Sequence, residues 1–355
     1  MKVYIAGHRG LVGSALLKKL KEKGYENILF RSSKELDLRR QSDVEMFFEE
    51  NKPDQVYLCA AKVGGILANS TFKAEFIYDN LAIALNVIHS SYKFGVKKLL
   101  NLGSSCIYPK NSPQPMKEEY LLSGYLELTN EPYAIAKISA IKLCRYYNEQ
   151  YGTNFISVMP TNLYGPNDNF DLYTSHVLPA LIRKFHLGKA LEDGDWESIR
   201  RDLNARPIED VNGECSKEVI LKILEKYGIQ FDKLSLKVNV LIWGSGEVYR
   251  EFLYVEDLAD ACVFLMESID APEMRKLCPD YFVNVGTGED IKIKDLAGIV
   301  KKIVGFSGEV RQDLSKPDGV QRKLLDVSKI RELGWTPKVG LEEGIKRTYE
   351  WYIGV

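Results

Sequence analysis

The chain has 355 residues, 45% hydrophobic and 27% charged, with a formal net charge of −1. This is a globular composition with room for one large or two ordinary domains, and without a long basic run it disfavours a nucleic-acid or anionic-membrane surface. Six cysteines (59, 106, 144, 215, 262 and 278) show no CxxC spacing and read as free thiols of a reducing cytoplasm, while four histidines form no HExxH-like cluster, so no metal is expected.

The first strand signal, Lys2–Ala6, is too short an apolar run for a secretory signal, and no later segment approaches membrane-spanning length. It runs into "GHRGLVG", with glycines at 7, 10 and 13, before a helical period over 11–23. A glycine turn between strand and helix lets backbone N–H groups approach a pyrophosphate at the positive helix N-terminus. The spacing GxxGxxG, rather than GxGxxG, points to one variant of the dinucleotide-binding fold. A second strand, Asn27–Arg31, ends in Arg31-Ser32-Ser33-Lys34, with Arg9 inside the glycine loop. NAD enzymes place a carboxylate there for the ribose 2′-OH, whereas cations and hydroxyls suit a 2′-phosphate. NADP(H) is the expected cofactor, and Asp37, several residues late, is the competing NAD reading.

A helix over 42–51, a strand at Gln55–Ala60, a helix over 73–94 and a strand at Lys98–Leu102 follow. The last of these opens into "GSSCIYP", which puts Cys106 among hydroxyl groups at the mouth of a sheet, where cysteines are uncommon. The next helix, 133–150, places Tyr133 and Lys137 four residues apart on one face, ahead of a strand at Phe155–Pro160. A lysine ammonium one turn away, together with a positive nicotinamide, would bring the tyrosine pKa down toward the working range. Ser104 would complete an oxyanion site around a substrate carbonyl. Short apolar runs alternating with longer amphipathic ones predict a Rossmann-type α/β fold, a doubly wound parallel sheet over 1–165 to which later segments return.

Beyond residue 165 the pattern loosens into a smaller α/β domain, 166–355. Helices near 175–188, 256–268 and 292–304, strands at Val240–Trp243 and Tyr281–Val285, and a final helix near 341–352 are expected. Residues 189–238 are charge-rich with one amphipathic helix around Lys217–Lys226, and read as a solvated surface insertion outside the catalytic pocket.

The stretches "IAGHRGLVGSA", "AAKVGGI", "LGSSCIYPK", "TNEPYAIAKI", "MPTNLYGP", "SHVLPALI", "WGSG" with "REFLYVEDLA", "NVGTG" and "KPDGVQRKLLDV" run from one end of the chain to the other. In them the chain resembles the extended short-chain dehydrogenases/reductases, and within these the GDP-L-fucose synthases. That resemblance implies NADPH-dependent 3,5-epimerisation and 4-keto reduction of GDP-4-keto-6-deoxy-D-mannose, in a cytoplasmic homodimer joined through helices 73–94 and 133–150. It implies Ser104, Tyr133 and Lys137 as the reductase triad, with Cys106 and His176 as the acid–base pair of epimerisation. The cofactor would lie on Gly7, His8, Arg9, Gly10, Leu11, Val12 and Gly13, on Arg31, Ser33, Lys34, Asp37 and Leu38, on Leu102, Gly103, Ser104 and Ser105, and on Lys137, Pro160, Thr161, Asn162, Leu163 and His176. Lys184, Trp243, Arg250, Asp318 and Lys323 would line the GDP-sugar site.

Two positions depart from the family pattern. Lys184, preceded by Arg183, stands where an arginine is usual, and Ser33 stands where a cation is usual at the 2′-phosphate end. The nearest rivals share the fold. A dehydratase needs an acidic pair after the strand-four serine, which "SSCIYPK" lacks, and a simple 4-epimerase has no use for the cysteine. A non-catalytic NADP-sensing protein would not need Ser104, Tyr133 and Lys137 together.

Overall fold

The computed structural model describes residues 1–354 other than 233, 234, 236 and 317, with the side chains of 66 and 67 also outside the description. The chain divides into two compact units. The first comprises 1–167, 251–289 and 323–341; the second comprises 168–250, 290–322 and 342–355.

In the first stretch, strands β1 (Val3–Ala6), β2 (Ile28–Leu29), β3 (Gln55–Leu58), β4 (Lys98–Leu102) and β5 (Phe155–Pro160) alternate with helices. These are α1 (Leu11–Glu22), α2 (Gln41–Asn51), α3 (Ile66–Thr71), α4 (Lys73–Lys93) and α5 (Glu131–Tyr151). A short β6 (Asn162–Tyr164) follows. The sequences of β1, β4 and β5 (VYIA, KLLNL, FISVMP) are buried at every residue, as expected of parallel strands covered by helices on both faces. α4 and α5 bury the small residues Ala84, Ala134, Ala136 and Ala140, which lets the two 21-residue helices lie close to the sheet and each other. The second strand is shorter than its apolar run suggested, because only Ile28 and Leu29 pair with β1.

The second unit begins with α6 (Val177–Glu192), α7 (Trp196–Ala205) and α8 (Lys217–Lys226), then β7 (Ile229–Asp232) and β8 (Lys237–Trp243). β9 (Tyr249–Tyr254), α9 (Val255–Ser268), α10 (Ala271–Leu277) and β10 (Phe282–Val285) return the chain to the first unit, and β11 (Asp290–Lys292), α11 (Ile293–Val304) and β12 (Glu309–Asp313) follow in the second. β13 (Arg322–Lys323), α12 (Ser328–Glu332) and α13 (Leu341–Ile353) complete the chain. Among the described residues, no helix is long and apolar enough to cross a membrane.

The sheet of the first unit has the order β10-β5-β4-β3-β1-β2 with all pairs parallel. Strand order reverses between β1 and β3, and ligands of such sheets bind beyond the carboxyl ends of strands at that reversal. Gly7 follows β1 at that reversal, and Ser104 follows the carboxyl end of β4, the neighbour of β3. The strand β10 reaches this sheet from more than a hundred residues away. Glu251, wholly buried, holds the returning segments: its Oε1 accepts from the N–H of Thr287 (2.7 Å) and Gly288 (2.8 Å), and its Oε2 accepts from that of Leu325 (2.9 Å).

The segment 189–238 is not a solvated appendage. α7 and α8 bury Ile199, Leu203, Ile220 and Leu224, and β7 pairs antiparallel with β8, which pairs parallel with β12. A charge-rich sequence hides this because its apolar residues are widely spaced along two helices. Residues 233, 234 and 236 of the segment lie outside the described residues. Replacing 192–236 by a linker would remove a strand and two core helices, so such a deletion should not fold as wild type does.

The buried anchor of this unit is Arg183. Its Nε and Nη2 both donate to Asp202 Oδ1 (3.0 and 2.9 Å), and Nη1 donates to the carbonyl of Phe170 (3.2 Å). Nη2 also donates to the carbonyl of Arg206, and the Tyr352 hydroxyl donates to Asp202 Oδ2.

Candidate active site

β4 ends at Leu102, and the chain leaves the sheet through buried Gly103. Ser104 is extended (φ −164°, ψ 146°) and caps a short 3₁₀ turn, Ser105–Ile107, its Oγ accepting from the Cys106 N–H at 3.2 Å. This turn holds Cys106 half-buried, with Ile107 and Tyr108 buried behind it. The Tyr108 hydroxyl donates to Asn284 Oδ1 at 2.5 Å. Asn284 in turn donates to the carbonyls of Met116 and Asp326 and, through its backbone N–H, to Glu118. Burial pushes the Glu118 carboxyl above its usual range, with Lys329 pulling the other way. The cysteine turn is therefore fastened on both sides. Sequence reading missed Asn284, which lies 176 residues from Tyr108, and Glu118, which is tied to the turn through Asn284.

α5 carries Tyr133 and Lys137 one turn apart. Lys137 Nζ donates to the Leu102 carbonyl at 2.6 Å and stands 5.7 Å from the Tyr133 ring centroid. The Tyr133 hydroxyl is hydrogen-bonded to the Ser104 side chain, and its ring meets Phe76 edge-on at 6.4 Å. Burial brings Lys137 down to about 8, opposed by neighbouring Cys59. It raises Tyr133 above the ordinary phenol value, aided by Cys106 and opposed by Ser104. In the protein alone, desolvation dominates both groups. A raised phenol pKa favours the protonated form, the state required of a group that gives a proton.

The glycine turn is shaped by close approach. Gly7 has φ +89°, and a Cβ on Gly13 would lie 2.1 Å from the Gly7 carbonyl oxygen, so only glycine lets α1 start against the end of β1. Gly10 is the N-cap of α1 with no side-chain cap, and the first turn has no acidic residue, which leaves backbone N–H groups for an anion. Exposed Arg9 stands just before them, half-buried His8 lies within the turn, and Leu11 and Val12 pack toward the core. After β2, Arg31, Ser33 and Lys34 are exposed. Arg31 donates to the Phe30 carbonyl (2.8 Å) and lies over the Phe47 ring. Glu35, passed over in the sequence, accepts from the Ser32 N–H and Oγ. Asp37, the rival NAD contact, has both oxygens on Arg39 (2.9 Å each), while the Leu38 carbonyl accepts from Asn86. These residues suit a dinucleotide carrying an extra phosphate.

Pro160 is buried in β5, and Thr161 donates its N–H to the Val285 carbonyl. Asn162 Nδ2 donates to the Glu251 carbonyl, and Leu163 pairs with Leu253. The first unit therefore brings Ser104, Ser105, Cys106, Tyr133 and Lys137 together.

His176 is exposed in the second unit as the N-cap of α6, its carbonyl accepting from the Ala180 N–H. Lys184 is buried and donates to the Leu241 carbonyl (3.0 Å), whose residue donates its own N–H to Gly228 in the charge-rich segment. Burial brings Lys184 down to about 8, opposed by Asp313. Its neighbour Arg183 is occupied by Asp202 and is no substitute phosphate ligand. Trp243 is half-exposed at the end of β8, with Lys316 above its ring and Asp318 capping the Ser245 N–H at 2.9 Å. Arg250 donates to the Tyr249 carbonyl, and Lys323 lies in β13 at the start of the last stretch of the first unit.

Asp168 opens the second unit with one buried oxygen, Oδ2, lacking a hydrogen-bond partner, and burial lifts its pKa to about 7. A folded value above the unfolded one, near 4, means that the stability tied to this proton is full below about pH 4 and lost as pH rises through about 7. Asp168→Asn, which never ionises, should therefore raise the melting temperature more at pH 8 than at pH 5. Equal shifts at the two pH values in a calorimeter would refute this.

The comparisons with known proteins fit this geometry. A family model described as NAD dependent epimerase/dehydratase family matches residues 3–205 and 210–286. The chain belongs to this family. Within the epimerase/dehydratase family, it is 50% identical to GDP-L-fucose synthase 1 of Arabidopsis thaliana over 99% of this chain and 93% of that protein. It is 45% identical to GDP-L-fucose synthase of Escherichia coli K12 over 99% of this chain and 96% of that one. Among solved structures, a GDP-D-glycero-L-gluco-heptose synthase of Campylobacter jejuni, obtained in the presence of NADPH, matches with a TM-score of 0.89. It is 44% identical over 99% of this chain and 98% of that one.

Proposed function

We propose that this protein converts GDP-4-keto-6-deoxy-D-mannose to GDP-L-fucose with NADPH, by 3,5-epimerisation followed by reduction of the 4-keto group. The observation that carries this reading is the joining of Ser104, Tyr133 and Lys137 with a cysteine, Cys106, on one fastened turn. A 4-keto group acidifies the hydrogens on both neighbouring carbons, so one hydrogen-bonding site serves enolate formation on either side. Ser104 and the protonated Tyr133 would hold the C4 oxygen as charge develops there. NADPH, when bound, supplies the hydride. Tyr133 gives its proton to the C4 oxygen, and Lys137, held on the Leu102 carbonyl, steadies the charge left behind. Cys106 and His176 would take and return protons at the ring carbons, since thiol and imidazole chemistry both operate near neutrality.

The Gly7–Gly13 turn would hold the pyrophosphate, with Arg9, Arg31 and Lys34 for the 2′-phosphate. Lys184, Trp243, Arg250, Asp318 and Lys323 would receive the GDP-sugar. The first unit is proposed as the cofactor domain and the second as the substrate domain. Exposed Tyr78, Leu85, Ile135 and Tyr146 on α4 and α5 support a homodimer through these helices, and six cysteines without disulfides suit the cytoplasm.

The test is loss of NADPH absorbance on adding the keto-sugar, with GDP-L-fucose as product; no oxidation with a folded protein would refute the reading. A GDP-heptose substrate is the second reading, favoured by the Campylobacter jejuni likeness, and it predicts faster turnover of a GDP-4-keto-heptose in the same assay. Cys106→Ala isolates the epimerisation half. With NADP⁺ present and reduction blocked, wild type should exchange C3 and C5 hydrogens in D₂O, and the variant should exchange about 10²–10⁴ times more slowly. Wild-type exchange in a folded Cys106→Ala protein would make the thiol a packing residue.

A further inference from the structure

The second unit contains a cavity of about 410 Å³ between α6, α7 and α13. Its wall on one side is α7, part of the charge-rich segment for which the proposed reaction gives no role. Lys189, Arg201, Arg206, His186, Tyr349 and Tyr352 line it, together with the carboxylates Asp193, Asp195 and Asp202.

The charges are not balanced in effect. Asp202 is held by Arg183 and Tyr352, and its Oδ2 also forms a long ion pair with Arg206 Nη1 at 4.0 Å. Asp195 caps α7, accepting from the Ser198 N–H (3.0 Å) and Oγ (2.6 Å). Asp193 and Asp195 remain as anions, and Arg201 acts on Asp195. Against these two stand three cations. Lys189 donates to the Val304 carbonyl, Arg206 lies 4.3 Å from the Tyr352 ring centroid, and exposed Arg201 has Asp195 as a charged neighbour. His186 uses Nδ1 on the Tyr349 hydroxyl (3.1 Å), leaving its other nitrogen and the tyrosine face. A half-buried arginine, an exposed arginine and a lysine beside aromatic rings form a pattern suited to a phosphate ester. The volume lies in the range of small-molecule sites and exceeds what inorganic phosphate would fill.

We propose that this cavity is a second ligand site, taking a small phosphorylated metabolite with its phosphate toward Lys189, Arg201 and Arg206 and its organic part against Tyr349. The site is separate from the residues assigned to the reaction, so its occupant is an effector and not a substrate. α6 gives the route for an effect, since one helix carries His176 and Lys184 toward its start and His186 and Lys189 toward its end.

The test uses the full chain saturated with NADP⁺ and GDP, so that phosphates cannot report from the sites already assigned. Inorganic phosphate, glucose 6-phosphate and GMP are titrated separately by calorimetry, with Trp196 and Trp351 fluorescence as a second readout. At least one ester should bind with Kd below about 1 mM and tighter than inorganic phosphate. Arg201→Glu, an exposed change, should weaken that binding at least about tenfold, and Arg201→Lys should keep most of it, both with unchanged NADPH turnover without ester. Three outcomes overturn the proposal: no saturable binding by either ester, inorganic phosphate binding as tightly as the esters, or equal ester affinity in Arg201→Glu.

Discussion

Tyr133→Phe should lose about 10²–10⁴ in NADPH-dependent turnover, the usual range for removing a positioned acid–base group. The ring would keep its edge contact with Phe76, and Ser104 would still cap the cysteine turn, so the melting temperature should change little. The same variant should slow deuterium exchange at both ring carbons, because the enolate oxygen loses a donor. That joint effect separates Tyr133 from Cys106, whose removal should slow exchange while leaving reduction of an available ketone. NADPH affinity measured by fluorescence should stay near wild type. A folded Tyr133→Phe protein within about tenfold of wild-type turnover would show that burial had raised this phenol for a structural reason only.

The largest stability effect is expected at Asp202. Asp202→Ala leaves the Arg183 guanidinium wholly buried without its carboxylate, and breaking one side of a buried pair costs about 3–5 kcal/mol. The Tyr352 hydroxyl loses its acceptor at the same time. Arg183→Met combined with Asp202→Leu removes both charges and should recover much of the loss, since apolar replacement of a whole buried pair is often near neutral. Denaturant unfolding of the single and double variants tests this through their coupling. If Asp202→Ala unfolds within about 1 kcal/mol of wild type, the pair does not anchor the second unit.

Much of the first unit was readable in the amino-acid sequence because its determinants are local. Apolar runs at 3–6, 55–58, 98–102 and 155–160 alternate with amphipathic periods, and the glycine turn and the Tyr133–Lys137 spacing are contiguous signals. The helix at Lys217–Lys226 stood out for the same reason, by its amphipathic period, and the structure adds Ser216 as its N-cap. What escaped reading was non-local. Nothing in Ile229–Asp232 announces that it will pair with β8, and nothing in Arg183 or Asp202 tells that they meet in the core. Asn284 and Tyr108 are in the same position. Spacing on a helix gave the proximity of Tyr133 to Lys137 but nothing of how dry their surroundings are.

The place of β10 in the sheet, and of Glu251 among the backbone N–H groups of Thr287, Gly288 and Leu325, sets a timetable for synthesis. A nascent chain that has just released Asn167 owns β1 to β5 but not the strand that covers β5. An uncovered strand edge is a template for pairing with other chains. At about 5–20 residues per second, the ribosome needs roughly 6–24 s to deliver residues 168–285. Through that interval the dinucleotide half is open at one side, and its closure waits on translation of the second unit that interrupts it. Chaperone demand in this protein should therefore fall in the middle of its synthesis, before either half is complete.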